Sequence, residues 1–181
     1  RLKGLEGAID AVAVHPHMGE QGWAFDRRGE EPESDPDPAL DADYLHQLYT
    51  RAEPDCTGRV TTPTLWDTAT ETIVSNESAD IVRMLNAEFD AVAGHPDRDF
   101  YPPGLTEAID DVNEWIYSDV NNGVYRTGFA ETQAAYEAAF DRLFAALDAL
   151  EDRLAERPFL VGDRVTEADI RLFVTLVRFD P

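Results

Sequence analysis

The chain has 181 residues, of which 43% are hydrophobic, so it can bury a core, and global disorder is excluded despite the charge excess. Its 37 acids against 15 bases give a net charge of −22, which excludes nucleic acid and anionic membrane as natural partners. No apolar run approaches the ~20 residues that span a bilayer, and no apolar stretch follows Arg1-Leu2-Lys3-Gly4, so the chain reads as soluble and cytoplasmic. So acidic a surface is solvated well in concentrated salt, where screening relieves its self-repulsion, and it suggests a halophilic source. Full stability in dilute buffer would contradict that. Cys56 stands alone, which rules out an intramolecular disulfide and a cysteine-based metal cluster.

In chain order, Leu2 and Leu5 read as the end of an amphipathic helix stopped by Gly4 and Gly7. Residues 9–14 alternate as a short strand buried on both faces. Residues 29–43 are acidic and carry Pro32, Pro36 and Pro38, which marks a solvated loop; Asp35, Asp37, Asp41 and Asp43 lack the Gly and terminal Glu of a calcium-binding loop. Helical spacing follows over 44–52, a turn over 54–58, a strand pair over 60–66 and 71–74, and a helix over 79–89. Residues 94–104, with three prolines, form the expected domain boundary. Beyond it Leu105, Ile109, Val112, Ile116 and Val120 keep a helical period, and Tyr136 to Leu154 keep a second. Thr166-Glu167-Ala168-Asp169 opens a third helix, with Thr as N-cap and a carboxylate at N3 reaching back to the cap amide. The expected organisation is an α/β domain over 1–93 and an all-α domain over 104–181.

Four places carry candidate chemistry. Pro63 opens a strand and removes a ladder donor; it is either an ordinary edge proline or, if Thr62-Pro63 is cis, a device that turns the Thr62 peptide outward to pair with a bound cysteinyl unit. Glu77 and Ser78 stand where a strand meets a helix; they are either plain capping or a reader of an α-amino acid end, Ser78 for the carboxylate and Glu77 for the ammonium. Asn76-Glu77-Ser78 also matches a glycosylation sequon, which a cytoplasmic helix start argues against. Trp23 sits in a turn, where its ring can line a pocket, and Tyr125 follows Gly123, a glycine expected to break or kink a helix. Tyr125 is either a core phenol or a proton donor to an oxyanion. His15, His17, His46 and His95 have no metal-ligand spacing, and Cys56 lies among acids that disfavour its thiolate, so neither a zinc site nor a nucleophile is expected there.

Taken together, Leu2-Lys3-Gly4-Leu5-Glu6, Gly22-Trp23-Ala24-Phe25, the stretch from Gly58 to Asp67, Ser75-Asn76-Glu77-Ser78, Asn121-Asn122-Gly123-Val124-Tyr125 and the ending from Leu160 resemble the glutathionyl-hydroquinone reductases, also called Xi-class glutathione transferases. The resemblance implies an α/β thioredoxin-like N-terminal domain followed by an all-α glutathione-transferase C-terminal domain. It also implies glutathione-dependent reduction of glutathionyl-hydroquinones to hydroquinones, with glutathione or γ-glutamylcysteine as thiol co-substrate and no metal. Carried over by motif, Trp23, Arg59, Thr62, Pro63, Glu77 and Ser78 would form the thiol site, and Tyr125 the catalytic side chain beside the quinol conjugate. A homodimer is implied by resemblance alone.

The family's nucleophile is the cysteine of a Cys-Pro-Trp-Ala motif, which this chain does not contain. The expectation is of a fragment clipped at both ends, lacking the first strand and helix of the thioredoxin-like domain, marginal in stability and inactive as it stands. The alternative, from another class, is a non-catalytic binding or scaffold protein with a transferase-like fold.

Overall fold

The computed structural model describes residues 1–26 and 32–179. Residues 29–31 of the expected acidic loop, and Asp180 and Pro181 of the family-like ending, lie outside them. The chain divides into two compact units, Arg1–Arg98 and Asp99–Pro181.

The first unit opens on turns, and the helix tail expected at residues 1–6 is absent. Gly4 instead serves a close backbone approach. Its φ is +67°, and a Cβ there would lie 3.1 Å from the Cα of Gly94. The Gly94 N–H donates to the Gly4 carbonyl at 2.9 Å, and the His95 N–H to the Lys3 carbonyl at 2.9 Å. Lys3 is buried, and its ammonium donates to the Asp90 carboxylate and to the carbonyls of Pro96 (3.3 Å) and Arg98 (2.9 Å).

The strand expected over 9–14 does not form. Apolar alternation produces a strand only where a ladder partner is offered. Here the Ala13 N–H donates to the Asp35 carboxylate (2.8 Å), the Asp35 N–H returns to the Ala13 carbonyl (2.7 Å), and Val12 stays exposed. In the described part of the following loop, residues 32–43, side chains fix the backbone. Asp37 is 7% exposed and accepts from the N–H groups of Ala39, Leu40 and Ala42 at 3.0–3.1 Å, so a short carboxylate folds the backbone around itself.

Helix α1 spans Leu45–Ala52 and buries Leu45, Leu48 and Tyr49 against Phe25 and Ala42. The Gln47 side chain caps it by accepting from the N–H groups of Asp43 (2.7 Å) and Tyr44 (2.9 Å). Strands β1 (Leu65–Asp67) and β2 (Thr72–Ser75) pair antiparallel, with Leu65 opposite Ser75 and a register irregularity between Leu65 and Trp66. β1 is shorter than the sequence suggests, because residues 61–64 are held by side chains outside the ladder, while β2 keeps its expected length shifted by one residue. Asp67 closes the hairpin turn, and the Thr70 hydroxyl (2.7 Å) and Ala69 N–H (2.8 Å) hold its carboxyl below the usual carboxylate range. Helix α2, Ser78–Ala87, follows β2 with Ile81 buried.

The second unit is helical: α3 (Thr106–Ile116), a π-helical turn over Tyr117–Asn121, α4 (Asn122–Gly128), α5 (Gln133–Glu156) and α6 (Glu167–Phe179). Ile109, Ile116, Val120, Leu143 and Leu160 are sealed at its centre. The Thr132 hydroxyl oxygen caps α5 by accepting from the Ala135 N–H at 3.2 Å. The cap read at α6 forms as expected: Asp169 accepts from the Thr166 N–H at 2.8 Å and hydroxyl at 3.0 Å, and also from the Leu160 N–H at 2.9 Å. Gly123 does not break a helix. It lies inside α4, where a Cβ would come 3.2 Å from Leu143 Cδ1, so the glycine admits α5 closely; the irregularity is the π turn just before it.

Candidate thiol-binding site

Six of the seven residues singled out by sequence fall in the first unit. Gly19 and Gly22 exchange backbone hydrogen bonds (3.2 and 3.0 Å) in a tight turn that presents Trp23. The Trp23 carbonyl accepts from the Leu45 N–H at 2.9 Å, and its half-buried ring packs at the rim of the unit's core. Arg59 is exposed and makes no hydrogen bond or ion pair among the described residues. Thr62 and Pro63 are exposed, and the peptide bond between them is cis. Among the described residues β1 has β2 as its sole partner, so its other edge is open.

Glu77 and Ser78 begin α2 and are exposed. The Glu77 side chain makes no cap bond, while the Glu77 N–H is taken by the Ser75 hydroxyl at 3.1 Å. The first intrahelical bond runs from the Ile81 N–H to the Glu77 carbonyl at 3.0 Å, which leaves the N–H groups of Ser78, Ala79 and Asp80 facing outward at the positive end of the helix. Ser75 therefore fixes the Glu77 amide without capping the first turn of α2, and no side-chain cap bond is made at this helix start.

Sequence reasoning missed the residues that hold these two places together. The Asn76 amide donates to Thr61 Oγ1 at 3.2 Å, tying the end of β2 to the turn before Pro63. The buried Tyr49 phenol sits at 3.1 Å from both the Thr61 carbonyl and Thr64 Oγ1, and the Thr61 N–H approaches it at 3.4 Å. The Thr64 hydroxyl closes the turn on the Thr61 carbonyl at 2.9 Å. The cluster of three threonines around Pro63 is the one signal that could have pointed to this turn. Cys56 packs half-buried against the core of the unit. Among the described residues no three His, Cys, Asp or Glu side chains are grouped to hold a metal ion, and no helix is long and apolar enough to cross a membrane.

Tyr125 belongs to the second unit. It is exposed on α4 with its ring stacked on Phe129, centroids 6.3 Å apart. In the preceding π turn, burial works to raise the Asp119 carboxyl, but the Ser118 hydroxyl and the Arg142 and Arg126 guanidinium groups outweigh it and leave Asp119 below the usual carboxylate range. Arg142, from α5, reaches Asp119 at 2.6 Å.

An open strand edge and a helix start are followed in the chain by an all-helical unit, and residues 133–181 match the glutathione S-transferase C-terminal domain family. The chain is 54% identical to the glutathionyl-hydroquinone reductase PcpF of Sphingobium chlorophenolicum, over 99% of this chain and 56% of that protein. It superposes on the glutathione-bound structure of YqjG from Escherichia coli with a TM-score of 0.94 at 50% identity, covering 99% of this chain and 57% of that one. An Xi-class glutathione transferase from Natrialba magadii matches with a TM-score of 0.93 at 51% identity, over 99% of this chain and 55% of that one. Over its whole length the chain is similar to glutathionyl-hydroquinone reductases and to Xi-class glutathione transferases. It spans about half the length of the curated relatives it matches.

Proposed function

We propose that this chain supplies the thiol-recognition surface of a glutathionyl-hydroquinone reductase. The observation that carries the reading is the joining, through the Asn76–Thr61 hydrogen bond, of an exposed turn at Thr62 to an exposed and unengaged Glu77–Ser78 pair. In this reading the Ser78 hydroxyl and the outward N–H groups of α2 take the α-carboxylate of a γ-glutamyl group, and Glu77 accepts from its ammonium. The Thr62 backbone, at the turn that Pro63 opens, pairs with the cysteinyl unit, Trp23 walls the pocket, and Arg59 supplies positive charge for a remaining carboxylate.

The chemistry divides accordingly. A cysteine thiolate attacks the sulfur of the quinol conjugate; the carbon–sulfur bond breaks, hydroquinone leaves with the bonding pair and a proton, and a second thiol reduces the mixed disulfide. Cys56, half-buried among apolar side chains, is poorly placed for this step, so these 181 residues bind thiol without turning over. Tyr125, an exposed phenol, is the side chain proposed to donate a proton at the quinol oxygen. Both thiols, glutathione and γ-glutamylcysteine, carry the two units read here. The acidic composition supports a halophilic source, and a cytoplasmic location and a homodimer are further parts of the proposal.

A calorimetric titration with glutathione tests it. A Glu77→Ala, Ser78→Ala double variant should lose affinity by about 10-fold or more, the expected scale for hydrogen bonds to charged groups. Wild-type affinity in that variant would remove both residues from the site.

A further inference from the structure

We propose that Tyr49, Thr61 and Asn76 form a spacer that fixes the separation of the two ends of this site and makes it selective for ligands carrying a γ-glutamyl and a cysteinyl unit on one molecule. The inference rests on the thiol-binding reading above and adds a specificity device to it. Thr61 precedes Thr62 by one residue, and Asn76 precedes Glu77 by one. The 3.2 Å bond between Thr61 Oγ1 and the Asn76 amide therefore lies one peptide unit from each proposed end.

Thr61 is in turn anchored to the core of the unit. The Tyr49 ring is buried with Phe25, Leu45 and Leu48, and its single oxygen meets the Thr61 carbonyl, the Thr61 N–H and Thr64 Oγ1 at 3.1–3.4 Å. A turn held on both its N–H and its carbonyl by a core phenol, and cross-tied to the neighbouring strand end, has little freedom to move one end relative to the other.

Physical consequence follows from the arithmetic of two-point binding. Two weak contacts on one ligand multiply only when the second is reached without further ordering, so a rigid spacing favours a ligand that spans it and does nothing for a ligand that touches one end. None of the three residues needs to touch the thiol. They are positioning residues.

The test uses the 181-residue chain, with binding read by chemical-shift titration, which covers millimolar affinities. Three probes are compared: γ-glutamylcysteine, γ-glutamyl methylamide for one end alone, and N-acetylcysteine methylamide for the other. For Tyr49→Phe and Thr61→Val the expectation is a loss of roughly 10-fold for γ-glutamylcysteine, with both half-ligands within about 2-fold of wild type. Thr61→Ser, which keeps the oxygen, should bind all three probes as wild type does. Retention of γ-glutamylcysteine affinity in Thr61→Val would overturn the proposal, as would a parallel loss of all three probes, the mark of a merely structural role. A wild-type chain that binds γ-glutamylcysteine no better than the halves would defeat the thiol reading itself, and is seen before any variant is made.

Discussion

The two units are held by different physics. In the second, Ile109, Ile116, Val120, Leu143 and Leu160 are almost wholly sealed, and this apolar packing carries most of the order, with polar ties such as Asn113 to Glu167 added to it. In the first, the largest buried apolar cluster is Phe25, Ala42, Leu45, Leu48 and Tyr49, and much of the order comes from polar ties: Lys3 to Asp90, Pro96 and Arg98, Tyr49 to Thr61 and Thr64, and, locally, Asp37 to three backbone N–H groups. The recognition surface proposed on these turns needs direction, which hydrogen bonds supply and apolar contact does not.

The sharpest way to break this contrast is a cavity. Ile116→Ala should cost about 2–5 kcal/mol in chemical denaturation, with Leu48→Ala in the smaller core at the low end of that range. Equal costs would show that the first unit is packed as tightly as the second. A polar deletion tests the other side: Lys3→Met removes a charged donor from three acceptors and should destabilise the first unit by about 2 kcal/mol, an effect reduced because Asp90 is half-exposed. Hydrogen exchange at the Gly94 and His95 amides, which bond to the carbonyls of Gly4 and Lys3, is the local readout, and unchanged protection there would mean that the backbone pairing holds without the ammonium.

The smallest effect concerns pH in the second unit. Asp119 is held below its ordinary value in the folded chain, so its contribution to stability is complete above the unfolded-state value near 4 and disappears as pH falls through the lower folded value. The difference in Tm between wild type and Asp119→Asn should be constant above about pH 5 and shrink in the acid limb below about 4. A difference that grew on acidification would reverse the sign assigned to Arg142 and Ser118.

What the sequence made legible was local. Helix periods, the hairpin and the Thr166–Asp169 cap depend on neighbours within a few residues, and the structure reproduces them. The alternation at 9–14 carried no information about a ladder partner, and the backbone turned to Asp35 instead. The π turn was invisible because Ile116 and Val120 keep a helical spacing whether or not the turn between them is widened. The same holds at the site: Thr62, Pro63, Glu77 and Ser78 were readable as motifs, but the Tyr49 and Asn76 contacts that join them span 12 and 15 residues and leave no periodic trace.

Lys3 is the only lysine among the 181 residues, and in the folded chain its amine is enclosed. Reagents that acylate amines therefore meet no accessible ε-ammonium until the Lys3–Asp90 latch opens. The rate at which an acyl tag arrives at this one position is a direct clock for the opening of the first unit, readable by mass without any engineered probe.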